Sequence, residues 1–291
     1  MPTQDRVSEG WIDVPGGRVF YRIVGQDAPG TPLLVVHGGP GLPHDYLEPL
    51  EALANARPVV FYDQLGCGRS DRPDDLSLFA LPRYVEELDA VRRTLGLTQL
   101  ALLGQSFGAL LCLEYLLRRG QEGVTRLVLS GPCLSAARFA ADQRAHLTAM
   151  PQAVQDAVAA AEAAGDYDND AYQTAVGAFY AKHVCRLDPW PACLTRAIEG
   201  MGLTSYLHMW GPSEFTLTGT LAGYDATPEL GTITVPTLLT CGRYDEATPE
   251  TTADFAARIP GARLTVIEDA SHSHHLEQPV RYLEAVEAFL A

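Results

Sequence analysis

The chain reads as an α/β protein, a mostly parallel doubly wound sheet with an inserted helical cap. Three observations predict this class. Short continuous apolar runs recur at 33–36, 59–62, 100–103, 127–129, 237–240 and 264–267, the mark of strands covered on both faces. Helical patterns at 81–95 and 109–117 lie between several of them, and strand–helix–strand alternation implies parallel strands. From residue 133 to 229 no strand-like run of that strength appears, and Ala-rich helical patterns at 136–148, 151–164 and 170–184 take its place. The expected organisation is a core of residues 1–132 and 230–291 interrupted by a helical cap at 133–229.

The elements follow in order. Residues 8–14 and 18–24 alternate apolar and polar positions around Pro15, Gly16 and Gly17, which predicts an antiparallel hairpin. In 81–95, Tyr84, Leu88, Val91 and Leu95 fall on one helical stripe, whereas 109–117 is apolar nearly all round and is expected to pack under the sheet. A Trp-, Pro- and Gly-punctuated stretch runs from the third cap helix to Gly223. Active sites of such sheets lie beyond the carboxyl ends of the strands, so a cap inserted there would roof a pocket.

Composition narrows the function. The 291 residues are 47% hydrophobic and 20% charged, enough for a large core. A formal charge of −15 argues against nucleic acid or an anionic membrane as partner, since both need a basic footprint. Residues 1–14 carry Asp5, Arg6 and Glu9 without an apolar h-region, and no stretch of about 20 apolar residues could span a bilayer. The expectation is a soluble cytoplasmic protein. Its six cysteines, at 67, 112, 133, 185, 193 and 241, form no CxxC pair and read as reduced, mostly buried thiols. No pattern speaks to oligomeric state.

The chemistry starts at GQSFG, residues 104–108, between an apolar strand and a helix. A chain turning that sharply lifts Ser106 out of the fold as a nucleophile, with the first N–H groups of the helix facing the same space. Of eight histidines, only His272, His274 and His275 lie in the loop beyond the last apolar run, and the spacing in SHSHHLEQP selects His272 as the base. A metal cluster is the competing reading of this trio, and it lacks a second group of Asp or Cys ligands. Asp245 in CGRYDEATP follows the preceding strand and is the candidate to orient the imidazole. The order Ser106, Asp245, His272 is that of an α/β-hydrolase. HGGPG at 37–41 follows the strand 33–36, and the N–H groups of Gly39 and Phe107 are the candidate oxyanion hole, with His37 a buttress of the loop.

With these segments in place, the chain resembles the proline iminopeptidase family of α/β-hydrolases, which includes the tricorn-interacting aminopeptidase. The matching motifs are HGGPG at 37, DQLGCGRS at 63, GQSFG at 104, GPSEFTLTG at 211, GRYDEATP at 242 and SHSHHLE at 271. The resemblance implies a helical cap and a substrate whose free α-amino group is held by acidic residues, here Glu214 and Glu246. It therefore implies a serine aminopeptidase releasing an unblocked N-terminal residue, proline or small and apolar, from a small peptide or aminoacyl amide. No metal or organic cofactor is implied. Relatives of this type include amino-acid amidases and hydrolases that remove an aminoacyl group from a small metabolite; an esterase and a non-catalytic binding protein are the remaining alternatives.

Overall fold

The computed structural model describes residues 7–291; residues 1–6, which include Asp5 and Arg6 of the charged start, lie outside the described residues. Eight strands form one sheet: β1 (Val7–Val14), β2 (Gly17–Val24), β3 (Leu33–Val36), β4 (Val59–Tyr62), β5 (Leu100–Gln105), β6 (Val124–Ser130), β7 (Thr237–Gly242) and β8 (Arg263–Ile267). Their spatial order is β1-β2-β4-β3-β5-β6-β7-β8. The β1–β2 and β2–β4 pairs are antiparallel and the other five are parallel. The hairpin pairs Val14 with Gly17, so Gly17 belongs to the strand and Pro15-Gly16 alone makes the turn, one residue fewer than the sequence suggests.

The apolar runs become the central strands because every residue of β3, β4, β5 and β7 is buried. The run ending at Ile267 behaves differently. As β8 it is an edge strand, and only Ile267 is fully buried, so apolar content there reflects one covered face. Helices α1 (Leu81–Thr94) and α2 (Phe107–Arg119) pack on one side, and Tyr84, Leu88 and Val91 of α1 join Leu110, Leu113 and Leu116 of α2 in the larger apolar core. Glu87 interrupts the apolar face of α1: it is fully buried, paired with Arg83 at 2.5 Å and accepting from the Leu65 N–H.

Between β6 and β7 the chain forms α3 (Ala136–Thr148), α4 (Gln152–Ala164), α5 (Asp170–His183), α6 (Ala192–Glu199) and α7 (Leu203–Met209). The last two occupy the Pro- and Gly-punctuated stretch and are short. A separate apolar cluster of Leu147, Val158, Ala161, Tyr172, Phe179 and Phe215 packs α3, α4 and α5 on each other. After β7 come α8 (Pro249–Arg258), α9 (His274–Glu277) and α10 (Pro279–Leu290), with β8 between α8 and α9. None of the described helices is long and apolar enough to cross a membrane, and all six cysteines are unpaired.

Candidate active site

Ser106 sits between β5 and α2 at φ 57°, ψ −122°, a backbone region a side-chain-bearing residue rarely adopts. Two hydrogen bonds hold it there: the Ser106 N–H donates to the Ser130 carbonyl (2.8 Å), and the Ser106 carbonyl accepts from Ala109 N–H (2.9 Å). The flanking glycines are required by contact. A Cβ at 104 would run into the Gly108 carbonyl, and one at 108 into the Val36 carbonyl. The elbow is thus wedged between its own helix and β3.

Four connections bring the other residues to it. Asp245 follows β7 and His272 follows β8, and both are buried. His272 Nδ1–H donates to Asp245 Oδ1 at 2.8 Å. The same carboxylate accepts from the Ala247 N–H on Oδ1 and the Gly242 N–H on Oδ2, while His274 Nδ1 lies 3.5 Å from Oδ2. Burial alone would raise the Asp245 pKa, but the charge and hydrogen bond of His272 outweigh it and hold the carboxyl far below its ordinary range. Burial likewise opposes the His272 imidazolium, yet the charges of Asp245, Glu246 and Glu214 push its pKa up to about 9.

Gly131, just past β6, makes room for that ring. A Cβ there would sit 2.8 Å from both Cε1 and Nδ1 of His272, and the backbone is at φ +55°. The helical insertion also reaches the two loops. His272 and Ser273 donate their N–H groups to the carbonyls of His183 and Val184 at the end of α5 (3.0 and 2.8 Å). The rings of His183 and His146 stack at 3.9 Å and bond the carbonyls of Tyr244 and Asp245.

The HGGPG loop is pinned by Tyr46. Its hydroxyl accepts from the Gly38 N–H (2.8 Å) and donates to Gln105 Oε1 (2.5 Å), tying the glycine loop to the residue before Ser106. His37 is fully buried; its Nε2 accepts from the Gln64 N–H and its Nδ1–H faces the Gly38 carbonyl, a neutral tautomer that burial favours by holding the pKa down to about 4. Gly39 lines the cavity next to Ser106. Phe107 opens α2, so its N–H is one of the first-turn donors with no helical acceptor, while its ring is buried against Tyr84.

These residues surround a cavity of about 320 Å³ lined by Ser106, His272, Glu214 and Glu246, with an apolar wall that includes Trp190, Leu194 and Ile198. Glu214 accepts from the Tyr206 hydroxyl at 2.8 Å. Glu246 is 1% exposed, neither carboxylate oxygen has a hydrogen-bond partner, and Oε1 lies 3.5 Å from His272 Nε2. Burial, joined for Glu246 by the charge of Glu214, pushes both carboxyl pKa values up. Of the sequence-selected residues, Gly39, Ser106, Glu214, Glu246 and His272 line this one cavity, Asp245 reaches it through His272, the Phe107 side chain does not line it, and His275 stands apart, donating from Nε2 to the Tyr46 carbonyl. The described residues also include a compact His44, Asp45 and Asp63 group, but Asp63 is already saturated by His44 and the Arg69 N–H.

Comparison with known proteins agrees with this geometry. Residues 31–279 match the model of the alpha/beta hydrolase fold family. A proline iminopeptidase of Heyndrickxia coagulans is 42% identical over 284 residues, spanning 97% of this chain and 98% of its own. The chain belongs to the proline iminopeptidase family of α/β-hydrolases. Among solved structures of similar proteins, the proline iminopeptidase of Mycobacterium smegmatis superposes with a TM-score of 0.89 at 32% identity, covering 97% of both chains. VinJ superposes with a TM-score of 0.93 at 34% identity, covering 97% of this chain and 98% of its own. The family membership makes this chain a hydrolase whose typical nucleophile is serine.

Several residues around the site escape sequence reasoning. Tyr46 lies in a 3₁₀ helix (His44–Asn55) with Pro49 inside it, and no local pattern connects its hydroxyl to position 105. Gly131 makes room for the His272 ring, a contact that no local pattern announces. His274 accounts for a second histidine of the trio: Nε2 bonds Ser130 and Thr240 hydroxyls between β6 and β7.

Proposed function

We propose that the chain is a serine exopeptidase that releases an unblocked N-terminal residue, proline or small and apolar, from a peptide or aminoacyl amide. The observation that carries this is the pair Glu214 and Glu246 on the wall of the cavity that also holds Ser106 and His272. Two carboxyl groups in a nearly dry site, one with no hydrogen-bond partner at all, have no cation but the His272 ring beside them. A protonated α-amine supplies one and gains far more from the pair than it would in water, whereas an N-acylated substrate leaves the charges unpaired.

In this reading Ser106 Oγ attacks the carbonyl carbon, His272 Nε2 takes the hydroxyl proton and later gives it to the leaving amine, and Asp245 holds the imidazole through Nδ1–H. The Gly39 and Phe107 amides stabilise the oxyanion. Residues 133–229 act as the cap, supplying Glu214 and the roof residues Tyr180 and Trp190. The apolar wall formed by Leu194, Ile198 and Met201 favours an apolar leaving group, so the amide of a small apolar metabolite is a second reading within the same chemistry. The unpaired cysteines support a cytoplasmic location.

Two linked measurements test the proposal. A fluorophosphonate should label wild-type protein at Ser106 and leave Ser106→Ala unlabelled. A panel of prolyl, alanyl and phenylalanyl amides with free amino ends should be hydrolysed by the former only. Equal labelling of the two proteins, or turnover of the panel by Ser106→Ala, refutes the assignment.

A further inference from the structure

Glu246 has a feature that amine recognition does not require. Its Oε1 lies 3.5 Å from Nε2 of His272, the ring nitrogen that has to accept the Ser106 proton, because Nδ1 is committed to Asp245. Glu246 has no hydrogen-bond partner for either oxygen and is buried at the cavity wall. Its backbone is fixed by Gln143, whose side-chain amide donates to the Glu246 carbonyl from α3.

From this arrangement, and resting on the reading of the site given above, we propose that Glu246 is a latch on the catalytic base as well as an anchor for the substrate amine, so that the free amine of the substrate is what makes His272 competent. In the empty site the buried Glu246 carboxylate, 3.5 Å from His272 Nε2, keeps the proton on that nitrogen by charge. An imidazolium facing that carboxylate has no Nε2 lone pair with which to receive the Ser106 proton. An ammonium entering between Glu214 and Glu246 replaces that proton as the neighbouring positive charge. The proton leaves to solvent, no covalent bond other than that to the proton is broken, and the Nε2 lone pair is free to face Ser106.

The surrounding charges are compatible with one exchangeable proton. Asp245 is ionised and hydrogen-bonded from three sides. His274 is held by Ser130, Thr240 and the Ser271 carbonyl. From α5 and α3, His183 and His146 face the acid loop through backbone carbonyls, and burial favours the neutral form of both. Glu214, tied to Tyr206, is the other carboxylate whose charge reaches His272.

Selectivity would then arise partly in the chemical step: an amine-free acylating agent meets a nucleophile whose base is engaged. The test uses an alkyl fluorophosphonate, which carries no amine, and follows the rate of Ser106 labelling at pH 7. Methylammonium chloride in the millimolar range should accelerate labelling of wild-type protein relative to an equal concentration of potassium chloride. Glu246→Met, nearly isosteric and without an acceptor, should label about tenfold faster than wild type, since each unit by which the base falls toward the working pH frees about tenfold more of it. The same variant should lose most of its turnover of aminoacyl amides. Opposite signs in the two assays support the latch. Methylammonium that only slows labelling, or a variant in which labelling and amide turnover fall together, overturns it while leaving the exopeptidase reading intact; absence of Ser106 labelling under every condition overturns both.

Discussion

Replacing Tyr46 with Phe removes a single oxygen, and the structure allows its consequence to be worked out. That oxygen accepts from the Gly38 N–H at 2.8 Å and donates to Gln105 Oε1 at 2.5 Å, and all three groups are buried. Its loss strands one donor and one acceptor. Each unsatisfied buried group costs about 1–3 kcal/mol, so a destabilisation of about 2–4 kcal/mol is expected once some relaxation is allowed. Gly38 immediately precedes Gly39 and Gln105 immediately precedes Ser106, so relaxation there shifts the proposed oxyanion donor against the proposed nucleophile. Full loss of one donor lowers turnover about a hundredfold to a thousandfold, and a partial shift should give about ten- to a hundredfold. The carboxylates proposed to hold the amine are on other loops, so KM should change little. Steady-state kinetics on a prolyl naphthylamide, together with a thermal melt, measure both quantities. If Tyr46→Phe keeps kcat within twofold of wild type, the hydroxyl does not position the oxyanion loop and the reasoning fails.

Three further outcomes follow from the same geometry. Asp245→Asn should lower kcat by about four orders of magnitude with the fold retained, because the imidazole loses the acceptor that fixes its tautomer, and circular dichroism with kinetics separates the two effects. Gly131→Ala places a methyl 2.8 Å from His272 Nδ1, and displacing the ring by about 1 Å should cost about a hundredfold in kcat; unchanged kinetics would show that the ring has another place to sit. The raised pKa of His272 contributes stability that is complete below about pH 6.5 and fades as pH rises through about 9, whereas the lowered pKa of Asp245 contributes stability that is lost only in acid. The melting temperature of wild type should accordingly fall between pH 7 and 9.5, and His272→Asn should flatten that slope.

Much of this architecture is legible from local pattern. The central strands announce themselves because β3, β4, β5 and β7 are buried on both faces and therefore apolar throughout. GQSFG is legible because Gly104 and Gly108 answer to backbone contacts that admit no side chain. What local pattern misses is convergence from a distance. Tyr46 meets Gln105 across 59 residues and Ser130 meets His274 across 144, and neither residue type at either place signals a partner. The short α6 and α7 hide among Pro191, Gly200 and Gly202, since eight and seven residues give too few turns for a period to emerge. Glu87 hides for the opposite reason: a charged residue on an apolar stripe looks like the stripe's edge, whereas here it is buried and paired with Arg83.

The account turns on the cationic amine between Glu214 and Glu246. The most direct measurement is kcat/KM for a prolyl or alanyl naphthylamide against the same compound N-acetylated, with wild-type protein at pH 7. The account predicts that the free-amine substrate is preferred by at least about a hundredfold, the loss of a buried charge pair worth about 3 kcal/mol or more. Equal values for the two compounds would contradict it.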